Sequence, residues 1–427
     1  MIALTLLTIA SAGSLVLAVP TKTTRSPGPI TLPMVTSGNA TASYWHDLLY
    51  SDNETADGSI TLTKRAGTTS RVTYKADSGA YFYAVPITIG AGKTGSVDTV
   101  TQIDTGSSDL WSTDYKGATG TNPGATGGFQ ITYGSGGGAQ GTSYTDSITM
   151  GGLTATGERV AAATSGQGNR GTSGIMGMSW IANSVQQSVP FVQQLFNQGQ
   201  IPAQRFGSVM SLDGKGPELF LGGVDTSRLY STLTAATLTY QAYWTIPFDG
   251  IKVGATTLAG GDAIIDTGSV FISGPTNLVQ KIYDNIPGAM LESKYLQAQG
   301  MSLTQDQINR LSSSWVLPCG PKLNQKLGTR VSNPSFIISG RSFVVPYVSL
   351  VGVPYFRYVV NADRTAYMPP LNGQYYCESL LIGNGAFANT AQDSNWNFGV
   401  PFQYHLYADY DYSGAGGKGT VSFDYSI

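Results

Sequence analysis

Ile103-Asp104-Thr105-Gly106-Ser107-Ser108 returns later in the chain as Ile265-Asp266-Thr267-Gly268-Ser269, with an apolar residue before each aspartate. One Asp-Thr-Gly carries little information, because all three residues favour turns. Two matched copies, each followed by serine, carry far more. They lie 266 − 104 = 162 residues apart, about one domain length, which points to two halves that each contribute one carboxylate to a shared site.

The residue types fit one chemistry. Two carboxyls sharing a small space do not both ionise, so the pair keeps one proton and presents an acid and a base together. The charged member takes a proton from water while the protonated one donates to a carbonyl oxygen, giving hydrolysis without a metal, cofactor or covalent intermediate. The threonine after each aspartate offers a hydroxyl and a backbone donor to orient the pair. Glycine in the next position lets the main chain pass where a side chain would clash.

At 427 residues the chain exceeds one ordinary core. Charged residues make up 12%, the formal net charge is −2, and basic runs are absent from its body, which excludes nucleic acid as an expected partner. With 54 Gly and 24 Tyr, the composition suits short strands and tight turns. The two histidines, His46 and His405, and two cysteines are too scattered for a zinc site.

Residues 1–18 hold an apolar run ending in Val16-Leu17-Ala18 and read as a secretory signal peptide. No later segment reaches the length of a membrane span, so a soluble, secreted, extracellular protein is expected. Residues 19–65 are polar, carry the sequons at Asn39 and Asn53, and end in the dibasic pair Lys64-Arg65; they read as a prosegment removed on maturation. In a secreted chain Cys319 and Cys377 are expected to form one disulfide; two buried free thiols are the alternative if secretion fails.

Strand-like sequence begins at Tyr81–Gly90 and continues from Val97 into the first Asp-Thr-Gly. Phe129 to Met150 reads as a β-hairpin with Gly134, Gly136, Gly137 and Gly138 at its tip, suited to a mobile lid over a cleft. On hairpin physics alone, Tyr133 is an ordinary cross-strand aromatic. Helix signals are confined to Pro190–Gln198 and Pro275–Ile286. Further strands are expected at 218–223, 243–253, 335–351 and 420–425, with the halves meeting near 232–238.

Taken in order, several motifs resemble a pepsin-like aspartic endopeptidase of the secreted fungal kind. They are Asp104-Thr105-Gly106-Ser107-Ser108-Asp109-Leu110-Trp111, Ile131-Thr132-Tyr133-Gly134-Ser135-Gly136, Gly174-Ile175-Met176-Gly177, Leu221-Gly222-Gly223, Tyr243-Trp244 and Asp266-Thr267-Gly268-Ser269. The match covers most of residues 80–290 and returns more weakly near the C-terminus.

The resemblance implies an all-β, bilobal fold with a few short helices and a hairpin flap, an N-terminal lobe over 66–236 and a C-terminal lobe over 237–427. It implies a monomeric endopeptidase that cleaves internal peptide bonds of proteins or peptides in acid, with Asp104 and Asp266 as the catalytic pair. Thr105, Gly106, Ser107, Thr267, Gly268 and Ser269 would orient the pair. Tyr133 would be the flap tyrosine with Gly134 and Ser135 beside it and Trp111 as its hydrogen-bond partner, and Ile175 and Tyr243 would line substrate pockets.

Three departures stand against the family pattern. Val270 replaces a hydroxyl residue, the usual Ile-Leu-Gly-Asp appears as Asn397-Phe398-Gly399-Val400, and 381–396 reads as an extra loop. A pepsin-fold binding or inhibitor protein without turnover is the alternative reading. A Gly/Thr-rich carbohydrate-binding protein would explain the composition and leave the paired motifs unexplained.

Overall fold

The computed structural model describes residues 30–33, 35–37, 60–63, 69–72 and 82–427, except 118–119, 121–123, 135, 167–171, 211–216, 321–332, 355, 359–364, 368–369 and 385–394. The expected signal peptide, both sequons, Lys64-Arg65, Ser135 and most of the inserted loop lie outside the described residues. Of the stretch read as a prosegment, three short strands are described: β1 (Ile30–Pro33), β2 (Val35–Ser37) and β3 (Ile60–Thr63), the last paired with β4 (Thr69–Val72).

The first half follows as β5 (Phe82–Ile89), β6 (Val97–Asp104), β7 (Leu110–Ser112), β8 (Ala125–Thr132), β9 (Gly138–Met150), β10 (Leu153–Gly166) and β11 (Gly174–Gly177). With β2 they form an eight-stranded sheet ordered β2-β5-β6-β11-β7-β10-β9-β8. Alternation along β6 explains its place: Thr99, Thr101 and Ile103 face the interior, and the strand delivers buried Asp104 at its end.

Helix α1 (Phe191–Asn197) covers this sheet, then β12 (Arg205–Val209), β13 (Glu218–Leu221) and β14 (Thr234–Thr237) lead to the second half. That half runs β15 (Thr245–Val253), β16 (Thr256–Ile265), β17 (Ile272–Gly274), α2 (Thr276–Tyr283), β18 (Met290–Leu291), α3 (Glu292–Ala298), α4 (Gln305–Arg310) and β19 (Trp315–Gly320). It continues through β20 (Ser335–Ile338), β21 (Arg341–Val344), α5 (Tyr347–Leu350), β22 (Val351–Pro354), β23 (Phe356–Tyr358), β24 (Thr365–Tyr367), β25 (Tyr375–Ser379) and β26 (Leu381–Gly383). The chain closes with β27 (Trp396–Phe398), α6 (Val400–Gln403), β28 (Leu406–Asp411) and β29 (Thr420–Tyr425).

The second half builds its own seven-stranded sheet, β21-β20-β15-β16-β27-β17-β26. A six-stranded sheet, β1-β13-β12-β28-β29-β14, interleaves strands from both halves and underlies the junction. Above it, Trp244 packs on Tyr410, Tyr412 and Trp180 with ring centroids 4.8–5.2 Å apart, and its indole N–H donates to the Met178 carbonyl at 3.0 Å. Aromatic pairs at such spacing each add about 0.5–1.5 kcal/mol beyond area burial, so this cluster fixes how the halves meet.

Both expected helices form, with Pro190 and Pro275 as their N-caps. The single strand expected over 335–351 is instead a hairpin followed by α5. Ser339 and Gly340 take positive φ of 48° and 78° at the turn, and Pro346 caps the helix. Helix α4 was not anticipated, although it carries a complete capping box between Thr304 and Gln307.

The two cysteines form the Cys319–Cys377 disulfide, both buried, tying β19 to β25.

Candidate active site

In the first half, β11 runs parallel to β6 and antiparallel to β7, placing Gly177 beside Asp104 and Ile175 beside Gln102. In the second, β27 runs parallel to β16 and antiparallel to β17, pairing Phe398 with Ile265 and Asn397 with Ile264. The two arrangements are equivalent, so the weak C-terminal motif plays the same part as Gly174-Ile175-Met176-Gly177. Val400, standing where the family has an acid, is fully buried and leaves no charge to satisfy.

Each Asp-Thr-Gly leaves its strand at the same level, and the two loops interlock. Thr105 N–H donates to Thr267 Oγ1 at 3.0 Å and Thr267 N–H to Thr105 Oγ1 at 2.9 Å. Each hydroxyl then donates to the carbonyl preceding the opposite aspartate, Thr105 to Ile265 at 2.7 Å and Thr267 to Ile103 at 2.8 Å. The glycines face across the same axis. A Cβ on Gly106 would lie 2.6 Å from Asp266 Cγ, and one on Gly268 would lie 2.6 Å from Asp104 Cγ. The glycine requirement therefore comes from the opposite carboxyl rather than from the glycine's own loop.

The Asp104 and Asp266 carboxyls lie near enough for the charge of one to act on the other. Asp104 is buried; loss of hydration, then the charge of Asp266, pushes its carboxyl up to about 7, against the opposing bonds from Ser107 and Gly106. Gly106 N–H donates to Asp104 Oδ1 at 2.9 Å and Gly268 N–H to Asp266 Oδ1 at 2.8 Å. At the outer oxygens the symmetry breaks. Ser107 Oγ donates to Asp104 Oδ2 at 2.5 Å, whereas Asp266 Oδ2 receives the Asn397 amide at 2.8 Å. Ser269, expected to match Ser107, turns to its own loop and bonds the Phe271 carbonyl and N–H at 3.1 and 3.3 Å.

Strands β8 and β9 form the hairpin over this pair, closed by Tyr133 N–H to the Gly137 carbonyl at 2.8 Å. Trp111 Nε1 donates to the Tyr133 hydroxyl at 2.7 Å, the pairing the resemblance implies. Burial, followed by the charge of Asp104, raises the Tyr133 hydroxyl far above its ordinary range, so it stays neutral across all working pH.

A cleft of about 580 Å³ runs between the halves beneath the hairpin, lined by both aspartates, Tyr133, Gly134, Ile175 and Tyr243. Among the described lining residues the two aspartates are the only acidic or basic side chains. Val270 also faces this cleft and packs with Phe271. Among the lining residues that sequence reasoning missed are two amides near the aspartates, Gln102 and Asn397. The signal for Asn397 was an amide between two aromatic residues, Trp396 and Phe398.

The profile of the eukaryotic aspartyl protease family matches residues 82–413. The chain belongs to that family. This eukaryotic aspartyl protease is a hydrolase of the peptidase class with the pepsin-like fold.

It is 28% identical over 347 residues to an aspartic protease of Phaffia rhodozyma, covering 77% of this chain and 74% of that protein. It is 29% identical over 276 residues to Major aspartyl peptidase 1 of Cryptococcus neoformans var. grubii, covering 55% of each. Against cathepsin E of Mus musculus it is 30% identical over 177 residues, 39% of this chain and 44% of that protein. The chain thus spans about half the length of the latter two relatives.

Proposed function

We propose that this aspartyl protease is a secreted endopeptidase that hydrolyses internal peptide bonds of proteins at acid pH, using water activated between Asp104 and Asp266. The carrying observation is the crossed interlock of Thr105 and Thr267, which holds two carboxyls together with nothing but hydrogen atoms on the glycines between them. A pair so held keeps one proton over a wide pH range, and that mono-protonated form is the one able to deprotonate water and protonate a carbonyl oxygen together. Because Asp104 loses its proton near pH 7, activity declines as pH approaches neutrality.

The hairpin bearing Tyr133 lies over the pair, suited to excluding water once an extended peptide is bound. Among the described residues the cleft lining carries no basic or further acidic side chain, which favours neutral side chains flanking the scissile bond, and Ile175, Tyr243 and Val270 favour apolar ones. Residues 19–65 would be removed before activity, leaving 66–236 and 237–427 as the lobes of a monomer. Both carboxyls, both threonines and the flap tyrosine are in place, which weighs against a silent binding protein.

The test is hydrolysis of denatured haemoglobin or casein by the processed protein from pH 2 to 8, with and without pepstatin, beside Asp104→Asn and Asp266→Asn. Acid-limited cleavage lost to the inhibitor and to either substitution is expected. A folded, processed protein that cleaves nothing would overturn the reading.

A further inference from the structure

The two halves supply different groups to the outer oxygens of the two carboxyls. Ser107 and Ser269 are equivalent by the 162-residue spacing, 107 + 162 = 269, yet only Ser107 reaches its aspartate. The place left by Ser269 is taken by Asn397, from a strand 131 residues away from Asp266 in sequence. We propose that Asn397 is a positioning residue whose amide holds Asp266 as the charged base of the pair and leaves the shared proton on Asp104. This rests on the dyad reading above.

The argument is one of donors and acceptors. A serine hydroxyl rotates, so Ser107 donates to an ionised Asp104 and accepts from a protonated one with little penalty. The –NH₂ of asparagine only donates. A proton on Asp266 Oδ2 would face the Asn397 N–H at 2.8 Å and displace it, so the contact survives only with that oxygen unprotonated. Asp266 Oδ1 meets another group that only donates, Gly268 N–H at 2.8 Å, whereas Asp104 Oδ2 faces only the rotatable Ser107 hydroxyl, so the geometry places the proton on Asp104 and leaves Asp266 ionised. The upward displacement of the Asp104 carboxyl by burial agrees with this assignment.

Asn397 is not there for the strand. Its equivalent in β11 is Ile175, and its neighbours in β27, Trp396 and Phe398, are apolar and buried. Asn397 Oδ1 is itself buried without a partner, which costs stability, so an aliphatic residue would suit the fold better. The bond to Asp266 is what anchors the amide. Among the described residues, the titratable groups around Asp266 are Asp104 on the facing loop, Tyr243 before β15 and Tyr410 on β28, with Tyr133 above Asp104. All three tyrosines are displaced upward by burial and remain neutral in acid. Asp409 follows one position before Tyr410 and so points to the other face of β28, where it pairs with Arg205.

The experiment compares kcat/KM against pH for the processed wild type, Asn397→Leu and Asp266→Asn on one internally quenched peptide, with thermal unfolding of each. Removing the donor destabilises ionised Asp266, so the acid limb of Asn397→Leu should move up by about one pH unit, a tenfold loss on its steep side. Its unfolding temperature should hold or rise, because the unpartnered oxygen is gone. A folded Asn397→Leu with an unmoved acid limb, or with one proportional loss at every pH, overturns the proposal. Cleavage that survives Asp266→Asn would instead bring down the dyad reading itself, so the two failures are distinguishable.

Discussion

Thr105 and Thr267 hold each other: each hydroxyl accepts the other's backbone N–H, at 2.9 and 3.0 Å, and donates to the carbonyl that precedes the other's aspartate. Four buried hydrogen bonds thus join the halves at the base of the cleft. Thr267→Val keeps shape and volume but leaves Thr105 N–H and Ile103 C=O unpaired. The expected cost is about 2–4 kcal/mol in urea unfolding, with a fall in kcat of about tenfold or more as the carboxyls lose register. Thr267→Ser retains both bonds and should stay within about 1 kcal/mol of wild type. Equal losses in the two variants would mean that the methyl packing, not the hydroxyl, matters.

Gly106 and Gly268 make a sharper test, because each lies against the opposite carboxyl. Gly106→Ala places a methyl 2.6 Å from Asp266 Cγ, closer than non-bonded carbons approach, so Asp266 must shift away from Asp104. The expected result is a loss in kcat/KM of about a hundredfold or more, with stability falling by about 1–3 kcal/mol. Near wild-type turnover in a folded Gly106→Ala would show that the carboxyls need not sit this close.

What the sequence made legible was whatever repeats or is local. The paired Asp-Thr-Gly loops, the strand into Asp104 and the two proline-started helices could all be read along the chain, whereas the Trp111–Tyr133 pairing came only from the resemblance. The role of Asn397 could not, because it depends on β27 being threaded between β16 and β17 across 131 residues of sequence. Ser269 misled for the opposite reason: matching sequence suggested matching contacts, but its loop closes on Phe271. The hairpin within 335–351 was missed although Ser339-Gly340 is a turn signal, because apolar residues on both sides read as one continuous strand.

The disulfide makes a prediction about the second half. Cys319 and Cys377 are 58 residues apart, and closing a loop of that length restricts the unfolded chain by about 4 kcal/mol on the chain-entropy account. Both sulfurs are buried, so mild reductant should leave the folded protein intact and act only once it unfolds. The double variant Cys319→Ala/Cys377→Ala should lose about 2–5 kcal/mol in chemical denaturation. An unchanged denaturation midpoint would mean that the surrounding strands order this region unaided.

Stability should itself favour acid, for reasons apart from the active site. Glu158 is buried in β10 with one carboxyl oxygen unpartnered, and burial pushes its carboxyl from the ordinary 4.5 up to about 8. A raised folded-state value means that the folded protein binds the proton more tightly than the unfolded chain. The stabilisation is therefore complete below about pH 4.5 and is lost as pH climbs to about 8, where unfolding lets the group ionise in water. For Glu158 alone the gap corresponds to roughly 3–5 kcal/mol lost above pH 8. Unfolding temperatures measured from pH 4 to 8.5 should fall steadily, and Glu158→Gln, neutral at every pH, should flatten that fall. A stability maximum near pH 7 in the wild type would contradict this, since it would require Glu158 to be ionised and paired in the folded protein.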